Sequence, residues 1–398
     1  MGSFAADPDF LERLDLLKIC LSYSWGGLEQ VAASDALDAA SLGVRVRLLC
    51  LDGTPIHEQL ARHKEVELLP LDFRPSNRFD LKMRRELNRR IAEGTNAIHA
   101  HQTSILGSVS PWVMPHPKVG LFATRHIMNN HRKRGVYHRF IYSRLDAMIV
   151  MSRALRDNVL ETHAIPENLV KVVHLGLDFD RFDPLKVDCA AQRAQWGADA
   201  DTVVIGLVGR IDPAKGQAAF IRAAAGLLKN QKPGEKFKFV IVGEETLGAR
   251  SDYLAELRQM VDQFGLGEFV IFAGYQENIP AVMSSFDIFV MPSRQEAFGL
   301  VAIEAMAMEC PIVISSGGSA EEIVGAEQPG GRREFGRVMR PGDAFDLQVQ
   351  LRYLLDNPEE RALMGRRARK HVVQNYDRKN RIRDTFAIYE QAMRKRGL

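Results

Sequence analysis

Short apolar runs alternate with amphipathic stretches from one end of the chain to the other, and that rhythm restricts the fold more than any other feature. Runs such as "TVVIGLVG" (202–209), "FKFVIVG" (237–243), "FVIFAGY" (269–275), "FDIFVMP" (286–292) and "PIVIS" (311–315) are too short for packed helices. They are apolar at nearly every position, the mark of strands buried on both faces of a parallel sheet with helices on either side. An earlier series places strands near 14–23, 44–52, 66–71, 97–101, 119–124, 147–151 and 170–175, with helices at 28–42, 78–93, 134–145 and 153–162. The later series has helices near 216–230, 251–264, 279–285, 299–308, 319–324 and 343–356. Between 178 and 201 the rhythm breaks, with Pro184, two Asp clusters and no long apolar run. The expected fold class is therefore α/β, with two doubly wound Rossmann-like domains facing each other across a cleft. The boundaries read as a first domain over 1–178, a linker over 179–201, a second domain over 202–375 and a C-terminal helix over 376–398 that returns to the first domain.

The length of 398 residues suits two cores of about 200 residues each. At 46% hydrophobic and 26% charged residues, disordered and collagen-like chains are excluded. No run reaches the roughly 18 apolar residues of a membrane span, and Asp7, Asp9, Glu12 and Asp15 near the start are wrong for a secretory signal. Four scattered cysteines, Cys20, Cys50, Cys189 and Cys310, read as free thiols in a reducing cytoplasm.

In such sheets ligands sit beyond the carboxyl ends of strands, and the chemistry-bearing motifs fall there. "SRQEAFGLVAIEA" (293–305) follows a strand with a loop carrying Glu296 and Gly299, then opens a helix at Leu300 that holds Glu304. Free amides at that helix start offer an anion site between two carboxylates, although an acidic helix cap gives the same pattern. "GRIDPAKGQ" (209–217) places Gly209, Arg210 and Lys215 on a strand-to-helix turn. Two fixed cations there can stabilise a departing diphosphate; a solvated loop is the alternative.

Taken together these segments resemble family 4 of the retaining glycosyltransferases. "GR…KG" followed by Glu-x7-Glu, "PIVISSGGSAEEIV" (311–324) and "RPGD" (340–343) carry the likeness, and "SWGGLEQ" (24–30), "VMSRALRDNVL" (150–160) and "HLGLD" (174–178) extend it over nearly the whole chain. Two positions depart from the family pattern, Glu309 where Gly is usual and Leu175 where Asn is common. The resemblance implies the GT-B fold and a role for each matching residue. Gly26 and Gly27 let backbone approach the diphosphate, and His126, ending "FATRH", contacts the transferred sugar. Arg210 and Lys215 bind the diphosphate and Glu296 reaches the sugar. Phe298, Gly299 and Leu300 form the phosphate turn, while Glu304 takes the ribose. Gly243 and Glu244 border the nucleoside, and the base lies near Gly274 and Tyr275.

The function implied is transfer of a sugar, with retention, from a nucleotide diphosphate (UDP preferred, GDP open) to a glycan or glycolipid acceptor of the cell envelope. A nucleotide-sugar epimerase of like fold and a non-catalytic sugar-nucleotide-binding protein are the alternatives. No cofactor, metal or nucleic acid is called for. "DFD" (178–180) lies in the linker, and "HAH" (99–101) shows no third ligand nearby in sequence, so the latter reads as cleft lining. From Gly94 to Leu145 there is no Asp or Glu, but Lys118, Arg125, Arg132, Lys133, Arg134, Arg139 and Arg144 are present. Such a one-signed field attracts anions, whether phosphates, acidic glycans or an anionic membrane surface; a solvated basic face is equally open. Val136, Phe140 and Ile141 recur at helical spacing within it, suited to a core or to a bilayer surface.

Overall fold

The computed structural model describes residues 7–76, 78–245, 252–294, 296–325, 327–328 and 332–397. It divides into two compact units, Met1–Leu175 with Arg378–Leu398, and Gly176–Asp377. The first unit is built on seven parallel strands: β1 (Asp15–Cys20), β2 (Arg45–Leu51), β3 (Glu67–Leu71), β4 (Ala97–Ala100), β5 (Gly120–Arg125), β6 (Ala147–Val150) and β7 (Val170–Val172). Their order is β3-β2-β1-β4-β5-β6-β7, so the direction of winding reverses between β1 and β4. Every residue of β1, β4, β5 and β6 is buried, which is why these segments read as continuous rather than alternating apolar runs.

The second unit repeats the plan with β8 (Thr202–Val208), β9 (Lys236–Val242), β10 (Val270–Gly274), β11 (Ile288–Met291), β12 (Ile312–Ser315) and β13 (Arg337–Met339). These six parallel strands run β10-β9-β8-β11-β12-β13, reversing between β8 and β11. Helices start where polar caps allow. Ser152 Oγ accepts from Leu155 N at 3.1 Å, and Asp343 accepts from Phe345 N and Asp346 N at 3.0 and 2.9 Å.

The stretch 179–201, read from sequence as a linker, belongs to the second unit. It carries a short helix, Ala190–Gln195, and Trp196 stacks on Phe286 with ring centroids 5.5 Å apart. Arg193 bonds the carbonyls of Ser285 and Thr202 at 3.0 and 2.6 Å. Its single turn of helix is too short to leave a periodic pattern. The final helix, Arg378–Lys395, belongs to the first unit, where Phe386, Tyr389 and Met393 are buried against Phe122 and Ala147. Each such fully buried aromatic contributes about 1.5–3 kcal/mol.

Helices over Pro8–Arg13, Pro55–Leu60 and Leu106–Val113, and strand β13, were not expected from sequence. In Leu106–Val113 the proline at 111 disguises the helix. It cannot donate to the Gly107 carbonyl one turn back, and that carbonyl accepts instead from Phe79 N at 3.1 Å. A missing helical bond thereby pins a distant loop, in which Phe79 holds a φ of 43°.

Glu309 follows the helix Leu300–Ala307 with a φ of 59°, the left-handed conformation that glycine adopts without steric cost. Glu309→Gly should therefore stabilise the protein by about 1 kcal/mol, read as a higher urea midpoint with unchanged slope.

Candidate active site

In the second unit the loops after β8 and β11 flank the point where the sheet reverses, the place where open parallel sheets take their ligands. Three glycines hold these loops together. Gly216 has a φ of 80°, and a Cβ there would lie 2.3 Å from the Pro292 carbonyl oxygen at the end of β11. Gly243, with a φ of 135°, leaves 2.1 Å between an ideal Cβ and the Gly209 carbonyl oxygen. Gly318 presses in the same way on the carbonyl of Glu296, at 2.0 Å. Backbone bonds complete the weave. Arg294 N donates to Ala214 O at 2.9 Å, Ile211 N to Glu244 O at 2.9 Å and Ser319 N to Glu296 O at 3.2 Å.

On this frame Lys215 Nζ and Glu296 Oε2 lie 2.7 Å apart, 81 residues distant in sequence and partly open to solvent. Arg210, half exposed, pairs with Asp212 at 3.1 Å, whose other carboxylate oxygen accepts from Ala214 N at 2.9 Å. Gly299 takes the left-handed conformation, φ 84°, at the start of the helix Leu300–Ala307. Leu300 opens that helix half-buried, whereas the Phe298 side chain is buried against Tyr376, centroids 5.8 Å apart. Phe298 thus contributes backbone to this loop while its ring anchors it. Glu304 lies one turn into the helix, where burial pushes its carboxyl up to about 7 and Arg181 pulls more weakly the other way. Glu244 Oε1 accepts from Tyr275 N at 3.3 Å, joining the residues expected beside the nucleoside, and Tyr275 is 58% exposed. The structure therefore brings Gly209, Arg210, Lys215, Gly243, Glu244, Tyr275, Glu296, Phe298, Gly299, Leu300 and Glu304 to one end of one sheet. Sequence reasoning missed Gly318 and the buried Gln217, whose Nε2 donates to Arg210 O at 2.8 Å.

In the first unit Gly26 precedes the helix Gly27–Ser41, and its N–H donates to Glu29 Oε2 at 2.8 Å. A Cβ on Gly27 would meet no atom within 4 Å, so internal packing does not demand glycine there. His126 follows β5, and burial with help from Arg125 pulls its imidazole down to about 3, keeping it neutral. Its ring lies 5.9 Å from that of His101, and among the described residues no group bonds its buried Nε2. Asp178 accepts from Asp180 N at 3.0 Å, so this pair closes a local turn.

The expectation that "HAH" lines a cleft is overturned, because His99 and His101 are both fully buried. Nor do they lack an acidic neighbour. Asp35 Oδ2 lies 3.7 Å from His101 Nε2, and ligand atoms of Asp35, His99 and His101 come within 4.8 Å of one another. The fold supplies that neighbour from a helix 64 residues earlier, beyond the reach of a local motif. Asp35 is, however, committed to Arg381 and lies 3.7 Å from Lys18, while both nitrogens of His99 bond Tyr389 and Thr124 at 2.5 and 2.7 Å. Two buried cations already balance this carboxylate, which makes the cluster a poor host for a further cation.

Two doubly wound parallel sheets, with their motifs at strand ends beside the reversal points, define a two-domain GT-B protein. Residues 25–181 match the family described as Glycosyltransferase Family 4, and residues 188–371 match Glycosyl transferases group 1. The chain belongs to this family of group 1 glycosyltransferases. It is 27% identical over 264 residues to a D-inositol 3-phosphate glycosyltransferase of Saccharomonospora viridis, covering 66% of this chain and 59% of that one. With the lipopolysaccharide core biosynthesis mannosyltransferase LpsB of Rhizobium meliloti it shares 28% over 263 residues, covering 66% and 70%. A match of 34% to the D-inositol 3-phosphate glycosyltransferase of Mycobacteroides abscessus covers 50% of this chain and 43% of that one, so the matched part is about half the length of the first such relatives. Among solved structures, Anabaena HepE in complex with UDP gives a TM-score of 0.80 at 21% identity, over 95% of this chain and 100% of that one. A glycosyltransferase from Rickettsia africae gives 0.83 at 18%, over 95% and 98%. These two share the fold.

The raised carboxyl of Glu304 makes stability depend on pH. The folded state holds the proton to about 7, whereas an unfolded glutamate releases it near 4.3, so stability falls as pH rises between those values. Glu304→Gln should be close to neutral at pH 4 and stabilising at pH 8 by about 1–3 kcal/mol, measured by urea unfolding without nucleotide.

Proposed function

We propose that this chain transfers a sugar, with retention of configuration, from a nucleotide diphosphate (UDP in preference to GDP) to a glycan or glycolipid acceptor of the cell envelope. The observation that carries the reading is the Lys215–Glu296 pair at 2.7 Å, with Arg210 on the same turn and the start of the 300–307 helix beside it. Lys215 and Arg210 would neutralise the diphosphate as it departs, which is where charge develops in glycosyl transfer. Amides at the start of that helix would hold phosphate oxygens. Glu296, released from Lys215 by the phosphate, would take sugar hydroxyls, and Glu304 would take those of the ribose. Neutral His126 would donate or accept a hydrogen bond at a sugar hydroxyl without adding charge. HepE was solved with UDP and with UDP-glucose, which supports the uridine preference. The departing diphosphate would itself accept the acceptor's proton, and no metal is required in this scheme. An acceptor bearing phosphate or lipopolysaccharide is in keeping with the names of the two relatives above.

Lys215→Ala and Arg210→Ala should each lower turnover by a factor on the order of 100 or more with a smaller loss of nucleoside binding. The same assay should proceed unchanged in excess EDTA. Wild-type rates in both variants, or activity lost to EDTA and restored by Mg²⁺, would remove the scheme.

We also propose a cytoplasmic location with reversible contact to an anionic membrane surface. Val136, Leu81, Phe79 and Phe140 are exposed by 85%, 62%, 49% and 42%. The Phe79 ring gathers Trp112, Tyr137 and Phe140 within 6.4 Å. Ile141, by contrast, is buried and serves the core. Among the described residues no helix is long and apolar enough to cross a membrane. With Arg78, Arg84, Arg132 and Arg139 nearby in the chain, each cation at an anionic surface adds about 1 kcal/mol. The full chain should pellet with phosphatidylglycerol vesicles at low salt and release as salt rises, while neutral vesicles leave it in solution. Equal, negligible pelleting on both would end the membrane reading.

A further inference from the structure

We propose that the first unit holds a binding site for a phosphomonoester group, in the recess lined by Arg78, Lys133, Thr103 and Ser104, with the buried Arg125 bonded to Thr103 behind that wall. The proposal rests on the reading above only in assigning that phosphate to the acceptor. The recess has a volume of about 190 Å³ and is open to solvent on one side, and none of the residues lining it is acidic. Arg78, Thr103, Ser104, Lys133, Tyr137 and His138 all face it, arriving from three separate segments of the chain.

Charge in this recess is uncompensated. Behind its wall, Arg125, the last residue of β5, is 7% exposed; its guanidinium donates to Thr103 Oγ1 at 2.7 Å, and its Nε finds no acceptor among the described residues. Among the described residues no carboxylate pairs with Arg78, Arg125 or Lys133. A buried guanidinium without an anion is unfavourable and is ordinarily paired. Its neighbours register that field. Burial and Arg125 lower the Lys133 ammonium. Burial, then Arg125 and Lys133, pull His163 down to about 3. Burial, then Lys133 and Arg78, depress His138.

Two other cations of the acid-free stretch, Arg144 and Arg134, already have partners. Arg144 is buried, but it bonds the carbonyls of Val113, His116 and Val119 and lies 3.5 Å from Asp146. Arg134 bonds the carbonyls of Leu160 and Glu161 at 3.3 and 3.0 Å, in the last turn of the helix Arg153–Thr162. Among the described residues no carbonyl or carboxylate bonds the Arg78 or Lys133 side chain, so their charge is left for a ligand.

The chemistry of the walls selects the ligand class. The Arg78 guanidinium suits paired oxygens, the Lys133 ammonium adds a second positive charge, and the hydroxyls of Thr103 and Ser104 can donate to a third oxygen. A phosphomonoester carries about two negative charges near neutral pH, which balances this set better than a single carboxylate would. Arg78 lies over the Tyr137 ring, 4.6 Å from its centroid, a stacking that orders its side chain before any ligand arrives.

The test titrates glycerol phosphate into the full chain with the donor site filled by excess UDP, followed by calorimetry. Saturable binding is expected, weakened about tenfold or more in Arg78→Gln and Lys133→Gln and unchanged in Arg210→Ala. Relief of like-charge repulsion should leave Lys133→Gln at least as heat-stable as the wild type, so that weaker binding is not a sign of misfolding. A second arm adds phosphatidic-acid vesicles. Mutual displacement would assign the phosphate to a lipid headgroup, and binding of glycerol phosphate undisturbed by vesicles would assign it to a soluble acceptor; either supports the site. No saturable binding, binding abolished by UDP, or undiminished binding in both variants would overturn it. Failure of the transferase reading would show instead as failure to bind UDP, with the glycerol phosphate result intact.

Discussion

A backbone contact without side chains governs the second unit: the carbonyl of Pro292 lies where a Cβ on Gly216 would have to be. Close approach of β8's turn to the end of β11 is possible only because that atom is missing. The same device recurs at Gly243 against the Gly209 carbonyl and at Gly318 against that of Glu296. The loops that follow four strands are thereby fixed at backbone distance. Their side chains then have little freedom in where they point. Lys215 and Glu296 meet for this reason, and not because either is drawn far across solvent. The ion pair itself is half-open to water and contributes little to stability; it reports the geometry that the glycines impose.

Charge is handled in opposite ways at two places in the first unit. Around Asp35, Lys18 and Arg381 are buried with a carboxylate between them and His101 alongside. Burial pulls the Lys18 ammonium down to about 7 and the Arg381 guanidinium to about 10, yet each has an acidic neighbour. At the end of β5, Arg125 has a hydroxyl and, among the described residues, no acid. The first arrangement ties the final helix to the sheet. The second holds an electrostatic imbalance at the surface of the same sheet.

What the sequence disclosed follows from range. The buried strands, the two reversal-point turns and most flanking helices were legible because periodicity and strand-end motifs are local. Elements hidden from that reading were short or disguised: β13 has three residues, the helix at 190–195 has six and the one at 106–113 contains Pro111. Glu309 was visible as a departure from the family pattern, and its φ of 59° shows what that departure means for the backbone. The recess lay further out of reach, since residues 78, 103, 104, 133 and 138 share no motif. Only the missing acids between Gly94 and Leu145 hinted at it. Even that signal mixed Arg144, occupied by carbonyls, with Arg125, which is not. Conversely, "HAH" suggested an exposed pair where the fold buries both rings.

The helix Arg378–Lys395 gives synthesis of this protein a particular timetable. Its Tyr389 bonds His99, its Arg381 meets Asp35, and its Phe386 and Met393 cover Phe122 and Ala147. A ribosome makes the seven strands first, then the whole of Gly176–Asp377, and only then the helix that seals them. At roughly 5–20 residues per second, the first sheet waits on the order of 10–40 seconds with the part of its apolar face around Phe122 and Ala147 uncovered. The second unit has all its elements contiguous and meets no such delay. The later-made unit is thus the first that can finish folding, and the nascent first sheet is the stretch on which chaperones would act.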